Sequence, residues 1–382
     1  DNFTRRGELG AACAIYHRGE RVAHLWGGYA DAKKCLPWGP DTLVTVFSVS
    51  KGMCALALAH SRRWLDYDRP VAAYWPAFGE NGKERITVRQ LLSHQAGLAV
   101  IDEPLTLQNL ADPDHVARVI ARQKPGWEPG TRHGYHCYSL GWYEGELLRR
   151  IDPGHRTVGR FFREELALPL GLDFHIGLPP GIPAEKIADI VDFFHHPVAL
   201  ARQCLAMPRP LLKAIVNPWS LSYRVIMANP GFLKTHEAFN KMEHRIIELP
   251  ASNGMGSADA IARAYSEFAT GGHALQIDPG TLAELARLPS SPSTGSWDDV
   301  LKMDAAYSLG FLKPHPAFPF GLDERSFGTP GAGGSFGFAD PVAQVGFAYV
   351  QNKVSARAWN DPRERALHEA FYRGLGRAPG PA

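Results

Sequence analysis

The stretch Ser48-Val49-Ser50-Lys51-Gly52-Met53-Cys54-Ala55-Leu56-Ala57-Leu58-Ala59-His60 carries a serine and a lysine three positions apart at the head of a long apolar run. The run predicts a helix from Ser48 to about Arg63, with Met53, Leu56 and Leu58 among its core residues. Residues three apart share a helix face, so the Lys51 amine reaches the Ser48 oxygen within one turn. A serine hydroxyl is a poor nucleophile at neutral pH. A lysine whose pKa is depressed by burial can take its proton, and the helix N-terminus adds a positive field there. That chemistry leads to an acyl-enzyme. A chain of 382 residues supplies roughly one such pair by chance, so the reading needs a second proton-handling group and backbone donors for an oxyanion.

Working outward, Ala11 to His17 and Arg21 to Trp26 read as a β-hairpin around Arg18-Gly19-Glu20. From Leu65 to Leu249 the pattern is mostly helical, with helices predicted over Val88 to Ser93, Asp114 to Arg122, Ser139 to Ile151, Val158 to Leu166 and His236 to Leu249. Tyr135 falls just before the third of these. The proline-rich pieces between Gly171 and Pro230 read as irregular cover of the kind that shapes a substrate pocket. Beyond Ala258 come a helix to Thr270, strands over Tyr307 to Leu312, Gly334 to Ala339 and Val345 to Val350, and a terminal helix from Arg363 to Leu375. Strands at both ends with helices between predict an α/β (α+β) fold. An antiparallel sheet of N- and C-terminal strands is flanked by helices, with a lobe from residues 1–47 and 255–382 and a mostly helical lobe from 48–254.

Bulk properties exclude several classes. Forty-one basic and 39 acidic residues with no long run of either sign give no sign of nucleic acid or an anionic membrane. The expected partner is a small molecule. Cys13, Cys35, Cys54, Cys137 and Cys204 are scattered, with no C-x-x-C pair, against both a disulfide framework and a zinc cage. A reducing, cytoplasmic setting fits, as does a start without a signal-peptide core, although a previously trimmed leader would leave the same start. Sixteen histidines include no H-E-x-x-H, and His195-His196 has no evident third ligand, so neither metal nor cofactor is expected.

Four pieces, Ser48-Val49-Ser50-Lys51, Leu91 to Leu98, Gly134-Tyr135-His136 and Gly331-Ala332-Gly333-Gly334-Ser335, resemble in order and spacing the serine β-lactamase and penicillin-binding protein superfamily. The closest resemblance is to its class C-like branch with the family VIII carboxylesterases, and it spans nearly the whole chain. It implies a β-lactamase-like fold, Ser48 as nucleophile, Lys51 and Tyr135 as the proton-handling pair, and an oxyanion hole from the N–H groups of Ser48 and Gly334. The family's asparagine two places after the tyrosine is Cys137 here, and Gly331, Ala332 and Gly333 stand at its Lys-Thr-Gly positions. Both departures remove groups that hold a β-lactam. The resemblance therefore implies a serine carboxylesterase for small neutral esters. A β-lactamase, a D-amino-acid peptidase or an acyltransferase would share its mechanism, and a non-catalytic binding protein its scaffold. Leu91 to Leu98 is expected to be structural, with Ser93 and His94 bonded locally.

A rival motif is Gly333-Gly334-Ser335-Phe336-Gly337, a G-x-S-x-G match that would make Ser335 the nucleophile. A strand-like run follows it where an elbow requires a helix, and His368 is the one downstream histidine.

Overall fold

The computed structural model describes residues 1–192, 197–288, 291–357 and 359–377. The His195-His196 pair lies outside them. Seven antiparallel strands form the main sheet: β1 (Gly10–His17), β2 (Glu20–Gly28), β3 (Tyr307–Ser308), β4 (Phe311–Leu312), β5 (Phe327–Pro330), β6 (Phe336–Asp340) and β7 (Val345–Gln351). Their order is β2-β1-β7-β6-β5-β4-β3, so the N-terminal hairpin pairs directly with the C-terminal strands. The chain has the predicted class of fold, a β-lactamase-like sheet with helices on both faces.

Period-two alternation shows why β1 is an interior strand, paired on both edges. Ala12, Ala14 and Tyr16 face the main core, whereas Ala11, Cys13 and Ile15 join the aromatic cluster of Phe336, Phe338, Phe347 and Tyr372 on the other face. Both faces are covered, so β1 reads as continuously apolar. The N-terminal and C-terminal segments are also tied by charge. Arg363 bonds to Glu8 at 3.1 Å and to Asp361 at 2.9 Å, and its guanidinium donates to the carbonyls of Gly333 and Lys353 at 2.6 and 2.8 Å. All three charged side chains are buried.

The helix that carries Ser48, α1 (Val49–His60), is buried from Val49 through Ala59. A helix apolar all round belongs inside a core. Gly52 permits its contact with the sheet: a Cβ there would stand 2.1 Å from Tyr265 Oη and 2.7 Å from Thr329 Oγ1. Beside it runs α2 (Ser139–Ile151), and α3 (Ala258–Ala269) covers the sheet. The terminal helix α4 is Pro362–Gly374.

Several boundaries differ from the sequence reading. Tyr307 to Leu312 is two strands, because Leu309 and Gly310 turn at φ 52° and 89°. The expected strand from Gly334 starts at Phe336, and β5 was not anticipated, since Gly328 and Pro330 are poor strand formers. His236 to Leu249 is a 3-10 turn (His236–Asn240) followed by a short helix (Met242–Ile246). Val158 to Leu166 is an α-helix to Phe162 that widens into a π-turn through Ala167. The presumed irregular cover contains helices at Pro197–Ala206 and Arg209–Ile215. Among the described residues no helix is long and apolar enough to cross a membrane.

Replacing Arg363 by methionine leaves Glu8 and Asp361 buried without their cation. Urea unfolding should show a loss of about 3–5 kcal/mol, and a change below about 1 kcal/mol would remove the network from the account of stability.

Candidate active site

Ser48 sits at the N-cap of α1 in helical backbone geometry, and its side chain caps nothing. The turn that delivers it is strained: Phe47 has φ 50°, a conformation that side chains with a Cβ rarely adopt. Ser50 stabilises that turn. Its hydroxyl donates to the Phe47 carbonyl and accepts the Gly254 N–H at 2.8 Å, while Val46 N–H reaches Gly254 O at 2.9 Å. The segment Pro250 to Gly254 is thereby fastened against the nucleophile turn. A short sheet of Val44–Thr45, Met255–Gly256 and Phe174–His175 extends the attachment.

Two side chains converge on the Ser48 oxygen. Tyr135 Oη donates to Ser48 Oγ at 2.8 Å, and Lys51 Nζ donates to it at 3.0 Å. Lys51 Nζ also donates to the Ala251 carbonyl at 2.9 Å and stands 4.9 Å from the centre of the Tyr135 ring. Ala251 can come this close because Gly141 of α2 has no side chain, where a Cβ would lie 2.3 Å from Ala251 N. Lys51 is 1% exposed. Burial pulls its pKa down from the usual lysine range to about 8. Burial pushes the Tyr135 phenol up, which keeps its proton on at neutral pH.

Tyr135 packs against His94, which the sequence reading treated as local structure, within a group of three histidines. The His94 N–H bonds locally to the Leu91 carbonyl at 3.2 Å, but its side chain reaches across: Nδ1 accepts the N–H of His136, and the ring lies 5.0 Å from Tyr135 and 4.4 Å from Tyr307. His136 Nε2 accepts the Leu98 N–H, so its Nδ1 carries the proton given to the Gly134 carbonyl. His133 Nδ1 bonds the Ser93 carbonyl. Burial lowers all three, His133 and His136 to about 4, so His94 against Tyr135, His136 against His94 and His133 against Tyr307 are neutral. Behind Lys51, Glu144 is fully buried, and neither of its oxygens has a hydrogen-bond partner among the described residues. Burial raises its pKa far above the carboxylate range, opposed by the charge of Lys51.

The third motif requires a correction. Gly334 N–H donates to Gly331 O at 3.2 Å, and the residue is packed against Asp361 and Arg363, so it has no free donor for an oxyanion. Nor do Gly331 to Gly333 lie on the strand. They form a turn after β5, whose last residue is Pro330, and Gly333 has φ 83°. Ala332 faces the same cleft as Ser48, and the N–H groups of both residues lack a partner among the described residues. The run of small residues made this two-residue shift illegible, since they carry no distinguishing side chain. Ser335 is 2% exposed, its hydroxyl donates to the Val46 carbonyl at 3.4 Å, and it leads into strand β6, which argues against it as a nucleophile. Asn253 holds the loop together by bonds to Leu249, His244 and Ile247, and Ser252 lines the cleft.

The cleft over Ser48 encloses about 1450 Å³ of free space, part of it continuous with solvent. Phe47, Tyr138, Leu211, Ile215, Met227 and Leu301 make its walls mostly apolar, with Cys137 beside Tyr135. Lys234 and Arg357 also line it, both exposed, and among the described residues no acidic one does.

A penicillin-binding protein homologue from Caulobacter crescentus superposes with a TM-score of 0.82 at 35% identity, covering 98% of this chain and 95% of the other. The crystal structure of a family VIII carboxylesterase gives 0.81 at 34% identity over 97% and 94% of the two chains. The esterase/beta-lactamase LipL of Mycobacterium tuberculosis is 34% identical over 92% of this chain and 79% of its own length. The Beta-lactamase family model matches residues 1–370. On the fold, the family match and these relatives, the chain belongs to the Beta-lactamase family and is a hydrolase of that fold.

Proposed function

We propose that the protein is a serine carboxylesterase acting on small neutral esters without a cofactor. The observation that carries this reading is the convergence of Lys51 and Tyr135 on Ser48 Oγ, at 3.0 and 2.8 Å, beneath a mostly apolar cleft. With Lys51 neutral, the amine takes the Ser48 proton as the oxygen attacks the ester carbonyl. The resulting ammonium keeps the Ala251 carbonyl as an acceptor. The oxyanion rests on the N–H groups of Ser48 and Ala332. Tyr135, which burial keeps protonated, hands its proton to the departing alkoxide and recovers one from Lys51. Water then attacks the acyl-enzyme by the same route in reverse.

Preference for an ester over a β-lactam or peptide is supported by the cleft. Cys137 offers a weak donor where an amide-binding asparagine would be, and the β5 edge ends in Pro330 with no cation. The cleft's cations, Lys234 and Arg357, stand exposed on other loops. Names among the relatives include an esterase/beta-lactamase and a family VIII carboxylesterase, consistent with this choice.

Intact-mass measurement after a fluorophosphonate should show one adduct on the wild type and Ser335→Ala and none on Ser48→Ala. Retention of the label by Ser48→Ala would overturn the assignment. Because the base is the neutral amine, kcat/KM for p-nitrophenyl butyrate should rise tenfold per pH unit below about 8 and level off above it. Glu144→Gln, which mimics the protonated acid, should leave that midpoint in place. A fall of a full unit would mean that Glu144 is ionised in the resting enzyme. Cys137→Asn restores one amide donor and should raise nitrocefin turnover relative to p-nitrophenyl butyrate by about tenfold, one hydrogen bond's worth.

A further inference from the structure

The balanced total charge conceals a local imbalance. From Pro197 to His236 the chain has no Asp or Glu, yet it has Arg202, Arg209, Lys213, Arg224 and Lys234. Arg224 is paired with Asp102. Arg209, Lys213 and Lys234 are exposed and form no ion pair among the described residues. The same segment carries the most exposed large apolar side chains of the molecule among the described residues: Trp219 at 91%, Leu205 at 86% and Val216 at 69%. Three of its apolar side chains face the other way. Met207, Leu211 and Ile215 line the cleft over Ser48, so one layer of chain is apolar toward the cleft and also toward solvent.

Exposed apolar residues of this size cost free energy unless something covers them. The unpaired cations beside them select the occupant. We infer that residues 205–219 form a docking surface for an anionic lipid interface, with Trp219, Leu205 and Val216 entering the headgroup region and Arg209 and Lys213 meeting the lipid charge. The Val216–Trp219 turn suits this role because it is short and held from within: Asn217 N–H bonds Ala214 O, Ser220 Oγ bonds the same carbonyl, and Ser222 Oγ is anchored to Val300 O. Lys234 at the cleft brings the charged surface up to the opening. A docked molecule would take apolar esters from the lipid phase into the cleft beneath the segment. That delivery rests on the esterase reading, whereas the docking does not.

Docking is tested on Ser48→Ala protein, so that turnover plays no part, by sedimentation with vesicles of phosphatidylcholine alone or mixed with phosphatidylglycerol. The protein should sediment with the mixed vesicles and be released by salt. Leu205→Ser/Trp219→Ser should abolish binding, and Arg209→Gln/Lys213→Gln should weaken it by about 30-fold, roughly fivefold per cation. In the otherwise wild-type enzyme both double variants should retain p-nitrophenyl acetate turnover, which reports an intact fold. Failure to sediment with any vesicle would overturn the proposal, as would undiminished binding by Leu205→Ser/Trp219→Ser. A concentration-dependent dimer that Trp219→Ser dissolves, without vesicle binding, would make a second copy of the chain the occupant and would equally overturn it.

Discussion

Everything at the active centre depends on one amine kept out of water. Lys51 is charged and flexible in its ordinary state, and a lysine buried without a counterion loses solvation that no single hydrogen bond replaces. Here the loss is put to use. The amine is held between Ala251 O and Ser48 Oγ, and its depressed pKa makes the neutral base available near neutral pH. The surrounding fold is arranged to maintain that environment: an apolar α1, the glycine at 141 that admits the Ala251 segment, and a group of neutral histidines.

That arrangement also separates the roles of two residues that could each have served as base. Burial moves a lysine and a phenol in opposite directions with respect to their usefulness. It brings the amine toward neutrality and pushes the phenol further from ionisation. Lys51 is therefore suited to receive the serine proton, and Tyr135 to donate one. The same low-polarity setting leaves Glu144 without a hydrogen bond, and its raised pKa favours the neutral acid beside the lysine.

Much of this was legible in the sequence because periodicity and spacing survive folding. The hairpin, α1, α2 at Ser139–Ile151, α3 and β7 stand within a few residues of their expected places, since each has a long apolar pattern that tertiary contacts reinforce. The contacts of Ser48 with Lys51 and Tyr135 are those the motifs implied. What could not be read were features set by partners distant in sequence. Ala251 contributes a backbone carbonyl, which any residue would supply. His94 bonds across to His136, and β5 is a strand because β6 pairs with it, despite Gly328 and Pro330. Gly334 was misplaced because a run of glycines has no side chain to fix its register. The basic, acid-free stretch from 197 to 236 is hidden when charge is summed over the whole chain.

The sheet order has a consequence for how the activity arises. Ser48, Tyr135, Ala251 and Ala332 come from widely separated parts of the chain, and β1 finds its inner neighbour only in β7 at Val345–Gln351. A growing chain can form α1 early, but Lys51 has no finished interior to enter until the C-terminal strands dock. Contacts of such long range form late and slowly. On the proposed mechanism Ser48 therefore remains an ordinary serine throughout most of synthesis. Its reactivity would appear only with closure of the sheet, so that acylation at Ser48 would report completed folding as well as catalysis.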